Sequence, residues 1–210
     1  MAGLATAVFL PSLQVREITI AGLGYVEEQQ VREAVEGHTG DSVLLLPGSE
    51  IAEDVAGVPG VESAEVERAW PDGVHVTVTE ATPVAQLTRT DGSTAVLDAQ
   101  GQELPAAAAE GATLVPFVLD ENSSDPEGAT AAMSEVLAAM PETLRGSVQK
   151  VSASSDSDVT LELALEDGGT KTVVWGDAAD SELKVDVVQA LVSQPGDVID
   201  VSSPVAPVTR

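Results

Sequence analysis

The apolar and polar positions of the chain change period several times, and each change marks an element. Leu13 to Ile20 is rich in β-branched residues and stops at Gly22-Leu23-Gly24, which predicts a strand and a turn. Val31, Ala34 and Val35 then recur at helical spacing among Glu27, Glu28, Gln29, Gln30, Arg32 and Glu33, predicting a short helix that Gly37 ends. Between Gly40 and Gly48 the run Val43-Leu44-Leu45-Leu46 reads as buried. Ser49 is the predicted N-cap of a second helix, with Glu50, Glu53 and Asp54 in its early turns and Ile51, Val55 and Val58 on its core face. Gly57 and Pro59-Gly60 stop it. Val61 to Ala69 and Val74 to Glu80 are joined by Trp70-Pro71-Asp72-Gly73, where proline sets φ and Gly73 can take positive φ, so a tight hairpin is expected. Val74, Val76 and Val78 alternate with His75, Thr77 and Thr79, which turns the valines to a core and His75 to water. Ala64 and Val66 share a face opposite Ser63, Glu65 and Glu67. The predicted order is β-α-α-β-β.

Short strands continue in the second half. Val84 to Arg89 and Thr94 to Leu97 flank the hairpin signal Asp91-Gly92, and Asp98 to Gly101 turns the chain again before Glu103-Leu104, so a meander is predicted. Ala106 to Gly111 reads as a linker. Leu114 to Leu119 reads as a strand whose Pro116 suits a sheet edge or a strand end. Asp125 caps a helix with Pro126 at its first position and Ala129, Met133, Val136, Leu137 and Met140 on one face, up to Pro141. Val148 to Ala153, Val159 to Leu165 and Thr170 to Trp175 are three further strands, the last two joined by Asp167-Gly168-Gly169. Gly176-Asp177 opens a last helix with Leu183, Val187, Val188 and Leu191 as its inner face. A final strand runs from Val198 to Val201, extending towards Val208.

Met1 to Leu10 is almost wholly apolar. A membrane-spanning helix needs roughly 20 such residues, and a signal peptide needs a basic start, so this stretch fits neither by itself. It reads as the outer end of a transmembrane helix or as an apolar arm packed on the protein. The full 210 residues suffice for two ordinary domains. With no cysteine, the fold rests on packing alone. The formal net charge of −26, from 35 acids against 9 bases, is spread along the chain; such a surface repels phosphate, so nucleic acid is not an expected partner. The same acidity suits solubility or a salty or extracellular milieu.

Candidate chemistry is sparse. Nucleophilic and acid–base catalysis rely most often on histidine, and the chain has two, His38 in a glycine-flanked turn and His75 on a solvent face. Transition-metal ligands are correspondingly scarce, and no G-x-S-x-G, Walker A or G-x-G-x-x-G run is present. A carboxylate pair of the glycosidase kind has acids enough to draw on, but no pair stands out. Trp70 and Trp175 suit a turn and a core better than a sugar platform. The expectation is a protein that is not an enzyme, with no cofactor, no metal site and no small-molecule substrate.

Trp70-Pro71-Asp72-Gly73-Val74-His75-Val76-Thr77-Val78-Thr79-Glu80, the following Thr82-Pro83-Val84-Ala85 and the Val58-Pro59-Gly60-Val61-Glu62-Ser63-Ala64-Glu65-Val66 step resemble the POTRA domain of the bacterial FtsQ/DivIB cell division family and its junction with the next domain. The strand–helix–strand order near the C-terminus, with Trp175-Gly176 before the helix and Lys184 within it, is similar to the β domain of that family. The resemblance implies an α+β protein: residues 1–12 a transmembrane remnant or apolar arm, 13–82 a POTRA domain, and 83–210 a mixed-sheet domain with helices on one face. It further implies a non-catalytic divisome scaffold of the cell membrane, single-pass, with its domains on the extracytoplasmic side and enriched at the septum. Its partners would be FtsB/DivIC-like and FtsL-like division proteins and other septal membrane proteins. POTRA modules also occur in secretion and outer-membrane assembly systems, which is the alternative reading.

By the same resemblance the partner-binding element is the last strand, from about Val198 to Val208, together with the helix before it, and the contact is placed at Val198, Ile199, Asp200, Val201, Ser202 and Ser203. Strand addition would use its free edge. Pro204 and Pro207 lack an N–H and, lying an odd number of residues apart, would lose donors on opposite sides of an extended strand. Pairing is therefore expected to stop before Pro204, while Val198 to Val201 keep their donors. The proline-rich end would then be a flexible or blunting tail, or protection against aggregation.

Overall fold

A computed structural model describes residues 13–166 and 168–210. The Met1 to Leu10 stretch, and Asp167 of the predicted turn, lie outside the described residues. The chain divides into two compact units, residues 1–81 and 82–210.

In the first unit, strand β1 (Glu17–Ala21) leads to helix α1 (Glu28–Glu36), a 3-10 turn at Val43–Leu45, helix α2 (Gly48–Ala56) and the hairpin β2 (Val61–Ala69) and β3 (Gly73–Glu80). The sheet order is β1-β3-β2, with β1 parallel and β2 antiparallel to β3. β3 is thus central, and its period-2 valines Val74, Val76 and Val78 are 0%, 0% and 3% exposed. Each buried valine is worth about 1.5–3 kcal/mol. Val31 and Val35 of α1 and Ile51 and Val55 of α2 close the core over them. Gly22, at φ +87, carries the chain off β1 so close to β3 that a Cβ would lie 2.0 Å from the Val78 carbonyl oxygen. Glu80, at the end of β3, accepts the N–H groups of Gly24, Tyr25 and Val26 at 2.7, 3.0 and 2.7 Å. Burial opposes its ionisation, but these donors outweigh burial and hold its pKa below the ordinary glutamate value.

Three local expectations change. Helix α2 starts two residues early, at Gly48 after Pro47, and Ser49 makes no cap because it lies inside the helix. In the Val43–Leu46 run only Val43 and Leu46 are buried, since the 3-10 turn points Leu44 and Leu45 outward. The Trp70–Pro71 bond is cis and Gly73 is not at positive φ. Glycine is there for room, because a Cβ would meet Ala69 Cβ and O at 3.1 Å.

The second unit is one sheet in the order β12-β11-β10-β9-β8-β7-β4-β5-β6. Its strands are β4 (Pro83–Thr88), β5 (Thr94–Asp98), β6 (Glu103–Leu104), β7 (Val115–Leu119), β8 (Val148–Ala153), β9 (Val159–Ala164), β10 (Thr170–Gly176), β11 (Val198–Asp200) and β12 (Val208–Thr209). The β4-β5-β6 meander is present. Helix α3 (Pro126–Ala139) packs on β7, β8, β9 and helix α5 (Ser181–Leu191). Asp125 caps α3 by accepting the Gly128 N–H at 3.0 Å. Ala129, Met133, Val136 and Leu137 are buried as the helical spacing predicts, with Phe117, Val151, Leu161 and Trp175 beneath them.

Pro116 does not mark an edge: β7 lies inside the sheet, between β4 and β8. It fits because pairing with β8 begins only at Phe117, so no donor is needed from Pro116 on that side. The expected linker after Pro105 is a 3-10 turn at Ala106–Ala109 that buries Ala108. Helix α4 (Glu142–Arg145), four residues long, was too short to show a period. On α5 the inner face is Ser181, Lys184, Val185 and Val188, whereas Leu183 is exposed. The helix begins at Ser181 instead of near Asp177; of the expected face Val188 is buried and Val187 and Leu191 pack partly buried against the same core.

Candidate functional site

The predicted site hangs on the β10–α5–β11 crossover, and three side chains hold it. Lys171 occupies an inward position of β10, is 4% exposed, and donates through Nζ to Val192 O at 2.8 Å and Gln194 O at 2.6 Å. A cation thereby caps the carbonyl end of α5, where the helix dipole is negative. Trp175, two turns of the pleat further on, is fully buried, and its Nε1 donates to Ser181 Oγ at 3.3 Å at the start of α5. Lys184, 1% exposed, donates to Asp177 O at 2.9 Å and Asp177 Oδ1 at 2.8 Å. Its ammonium, against burial, keeps the Asp177 pKa below the ordinary value. Both ends of the helix are thus tied to β10 and to the loop that follows it.

That brace delivers β11 to the sheet parallel to β10, pairing Thr172 with Val198, Val173 with Ile199 and Val174 with Asp200. Ile199 and Val201 point into the core and are fully buried. Val201 N–H donates inward to Val174 O at 2.9 Å. Val198 N–H points the other way. The predicted strand beyond Val201 is not continuous: the chain turns back through Ser202 to Pro207, with Ala206 N–H donating to Ser203 O at 3.0 Å, and returns as β12 antiparallel to β11. Ile199 faces Thr209 and Asp200 faces Val208. Asp197 N–H and Val198 N–H donate to Arg210 O at 2.8 and 2.9 Å, and Arg210 N–H donates to Val198 O at 3.0 Å. Gly196, at φ +116, makes room for this return, since a Cβ would lie 2.9 Å from Arg210 O.

The donors of Val198 and Val201, expected free, are therefore engaged, and the expected loose tail is a strand. Pro204 sits in the turn and Pro207 just before β12, where neither owes a ladder bond. Asp200 closes the turn: its carboxylate accepts Ser202 Oγ–H at 2.7 Å and Ser202 N–H at 3.1 Å. Those bonds, the hydroxyl's first and against burial, lower its pKa, with the Arg210 charge assisting.

Of the residues predicted for the site, Val198, Ile199 and Asp200 lie in β11, and Val201, Ser202 and Ser203 open the turn. The residues missed were Lys171, Lys184 and β12. Period 2 places Lys171 on the same face as Val173 and Trp175, and the spacing from Ser181 through Val185 to Val188 places Lys184 inward. Both signals are in the pattern, but lysine is so seldom buried that Lys184 enters the sequence reading only through the family resemblance and Lys171 not at all.

The rest of the molecule gathers little chemistry. His38 Nδ1 lies 3.1 Å from Asp41 Oδ2 in its turn, and His75 is half-buried on the open face of β3. Among the described residues no three His, Cys, Asp or Glu side chains converge as a metal site, and no helix is long and apolar enough to cross a membrane. A cavity of about 910 Å³ opens beside the end of α5, but its buried cation, Lys171, already serves the helix terminus.

Comparison with known proteins fits this layout. Residues 13–81 match the family described as POTRA domain, FtsQ-type, and residues 85–202 match Cell division protein FtsQ/DivIB, C-terminal. Cell division protein FtsQ of Mycobacterium tuberculosis strain H37Rv is 31% identical over 202 residues, which cover 96% of this chain and 62% of that protein. The Corynebacterium glutamicum protein of the same name is 26% identical over 93% of this chain and 86% of its own length. That of Streptomyces coelicolor is 24% identical, with coverages of 92% and 76%. The chain thus spans about three fifths of the length of the mycobacterial relatives it matches. With a POTRA unit of FtsQ type and, after it, more than half its length matched by the C-terminal family, the chain belongs to the FtsQ/DivIB family of cell division proteins.

Proposed function

We propose that the chain is the extracytoplasmic part of a single-pass, non-catalytic scaffold of the cell membrane, concentrated at the division septum, which recruits FtsB/DivIC-like and FtsL-like partners and positions other septal proteins. Family membership and the scarcity of reactive side chains support that reading. The observation that carries the partner site is the weakness of β12. It is two residues long, Val208 is 50% exposed and Val205 in the turn before it 86% exposed. Its backbone bonds to β11 contribute roughly 0.5–1.5 kcal/mol each, against an ordering cost of about 1–2 kcal/mol per residue. A longer partner strand with apolar side chains would replace it on the outward groups of Val198 and Asp200, engaging Val198 to Ser203 by strand addition.

The test is a binding titration with the two small helical division proteins. A chain ending at Gly196 is a poor comparison, because it loses the buried Ile199 and Val201. A chain ending at Ser203 bares β11 and keeps them. It should bind more tightly, by about tenfold or 1.4 kcal/mol, and Val198→Pro, which removes an outward donor, should weaken binding. Weaker binding by the Ser203-ended chain would move the contact to β12 and defeat the assignment to Val198–Ser203.

A further inference from the structure

In the first unit the large hydrophobics left exposed among the described residues are Leu44, Leu45 and Trp70, at 38%, 66% and 60%. They come from two segments, the 3-10 turn before α2 and the tip of the β2–β3 hairpin, yet Leu44 and Trp70 border the same surface hollow. Arg68 ties the two segments together, donating through Nη2 to Leu46 O at 2.8 Å. The chain enters the unit between them. Gln14 bridges to Ser42, Val15 N–H donates to Asp41 O at 2.9 Å, and Arg16 N–H donates to Asp72 O at 2.8 Å. The apolar stretch that ends at Leu10 is separated from Gln14 by Pro11, Ser12 and Leu13 alone.

From this coincidence we infer that the Leu44–Leu45–Trp70 rim is a lipid-contacting surface that seats the POTRA unit on the bilayer from which its chain emerges. The inference rests on the membrane-anchored reading above. The step from Leu10 to Gln14 spans about 14 Å at most, and the headgroup region beyond the hydrocarbon is roughly 5–8 Å deep. A unit tethered so closely holds its entry end at the headgroups. Two leucines and a tryptophan there have the composition of an interfacial contact, with the indole at the headgroup level. A soluble partner would leave the tether unexplained. The flanking Asp41, Glu67 and Asp72 and the net charge of −26 direct the surface to zwitterionic and not anionic lipid.

The two tryptophans make the test direct, since Trp175 is fully buried and Trp70 is not. The full chain is mixed with phosphatidylcholine vesicles, with and without brominated acyl chains, and followed by flotation and tryptophan emission. Trp70 emission should shift to the blue and be quenched by the brominated lipid. Trp70→Phe should abolish both effects, leaving the unquenched Trp175 signal. The Leu44→Glu/Leu45→Glu double variant, changed only at surface positions, should lose the quenching and the blue shift. A chain that floats with Trp70 unquenched and in water overturns the lipid-contact inference and leaves the anchor standing. A chain that does not float overturns this inference; the anchored reading is tested separately, by membrane fractionation of the cellular protein, and falls if the protein is recovered in the supernatant.

Discussion

At Glu80 one carboxylate satisfies three consecutive backbone N–H groups at the turn into α1, joining the last strand of the POTRA unit to its first helix. Its folded pKa is lowered, so its contribution is present above the ordinary glutamate pKa of about 4.3 and is lost as pH falls through the folded value. Glu80→Gln should cost about 1–2 kcal/mol at neutral pH, measured by urea unfolding of the first unit. The deficit should shrink as pH drops below that range; an equal deficit at every pH would show that the charge is not what matters. None of this was legible beforehand, because Glu80 ends a strand of alternating valines and threonines and its partners lie more than fifty residues away. Leu45 was misjudged for a related reason. Four consecutive apolar residues read as buried in any conformation, and only the 3-10 geometry decides which two face out.

The element that matters most is α5, pinned at one end by Lys171 and at the other by Lys184 and Trp175. Lys184→Ala removes both the packing of a long stem and the bonds to Asp177, and should cost about 2–4 kcal/mol. Lys184→Met keeps the stem and should cost roughly half as much. Thermal unfolding of the second unit checks the pair: equal losses would mean that the stem contributes nothing, and no loss in Lys184→Met would mean that the ammonium contributes nothing. Because β11 follows this helix directly, the same variants should weaken partner binding in the same order. The existence and type of the long elements were legible, since α3 and β9 display their periods over many residues. The four-residue α4 and two-residue β12 were not, because no period can be recognised in so few positions.

Across the whole molecule the governing quantity is a net charge of −26. Self-repulsion on that scale destabilises the compact state and is screened by salt. Raising the ionic strength from about 0.01 M to 0.15 M shortens the screening length from about 30 to 8 Å, and the unfolding midpoint should rise; a fall would mean that the few ion pairs outweigh the repulsion. The sequence by itself determined the β-α-α-β-β order, the meander, the cap at Asp125, the absence of thiol chemistry and the family resemblance, because each is written in neighbouring residues. Tertiary structure alone decided the place of Pro116 inside the sheet, the partners of the inward Lys171 and Lys184, and the return of β12 onto the outward edge of β11. Those outcomes depend on which strands become neighbours, and backbone donors carry no side-chain signature by which a sequence could announce their partners.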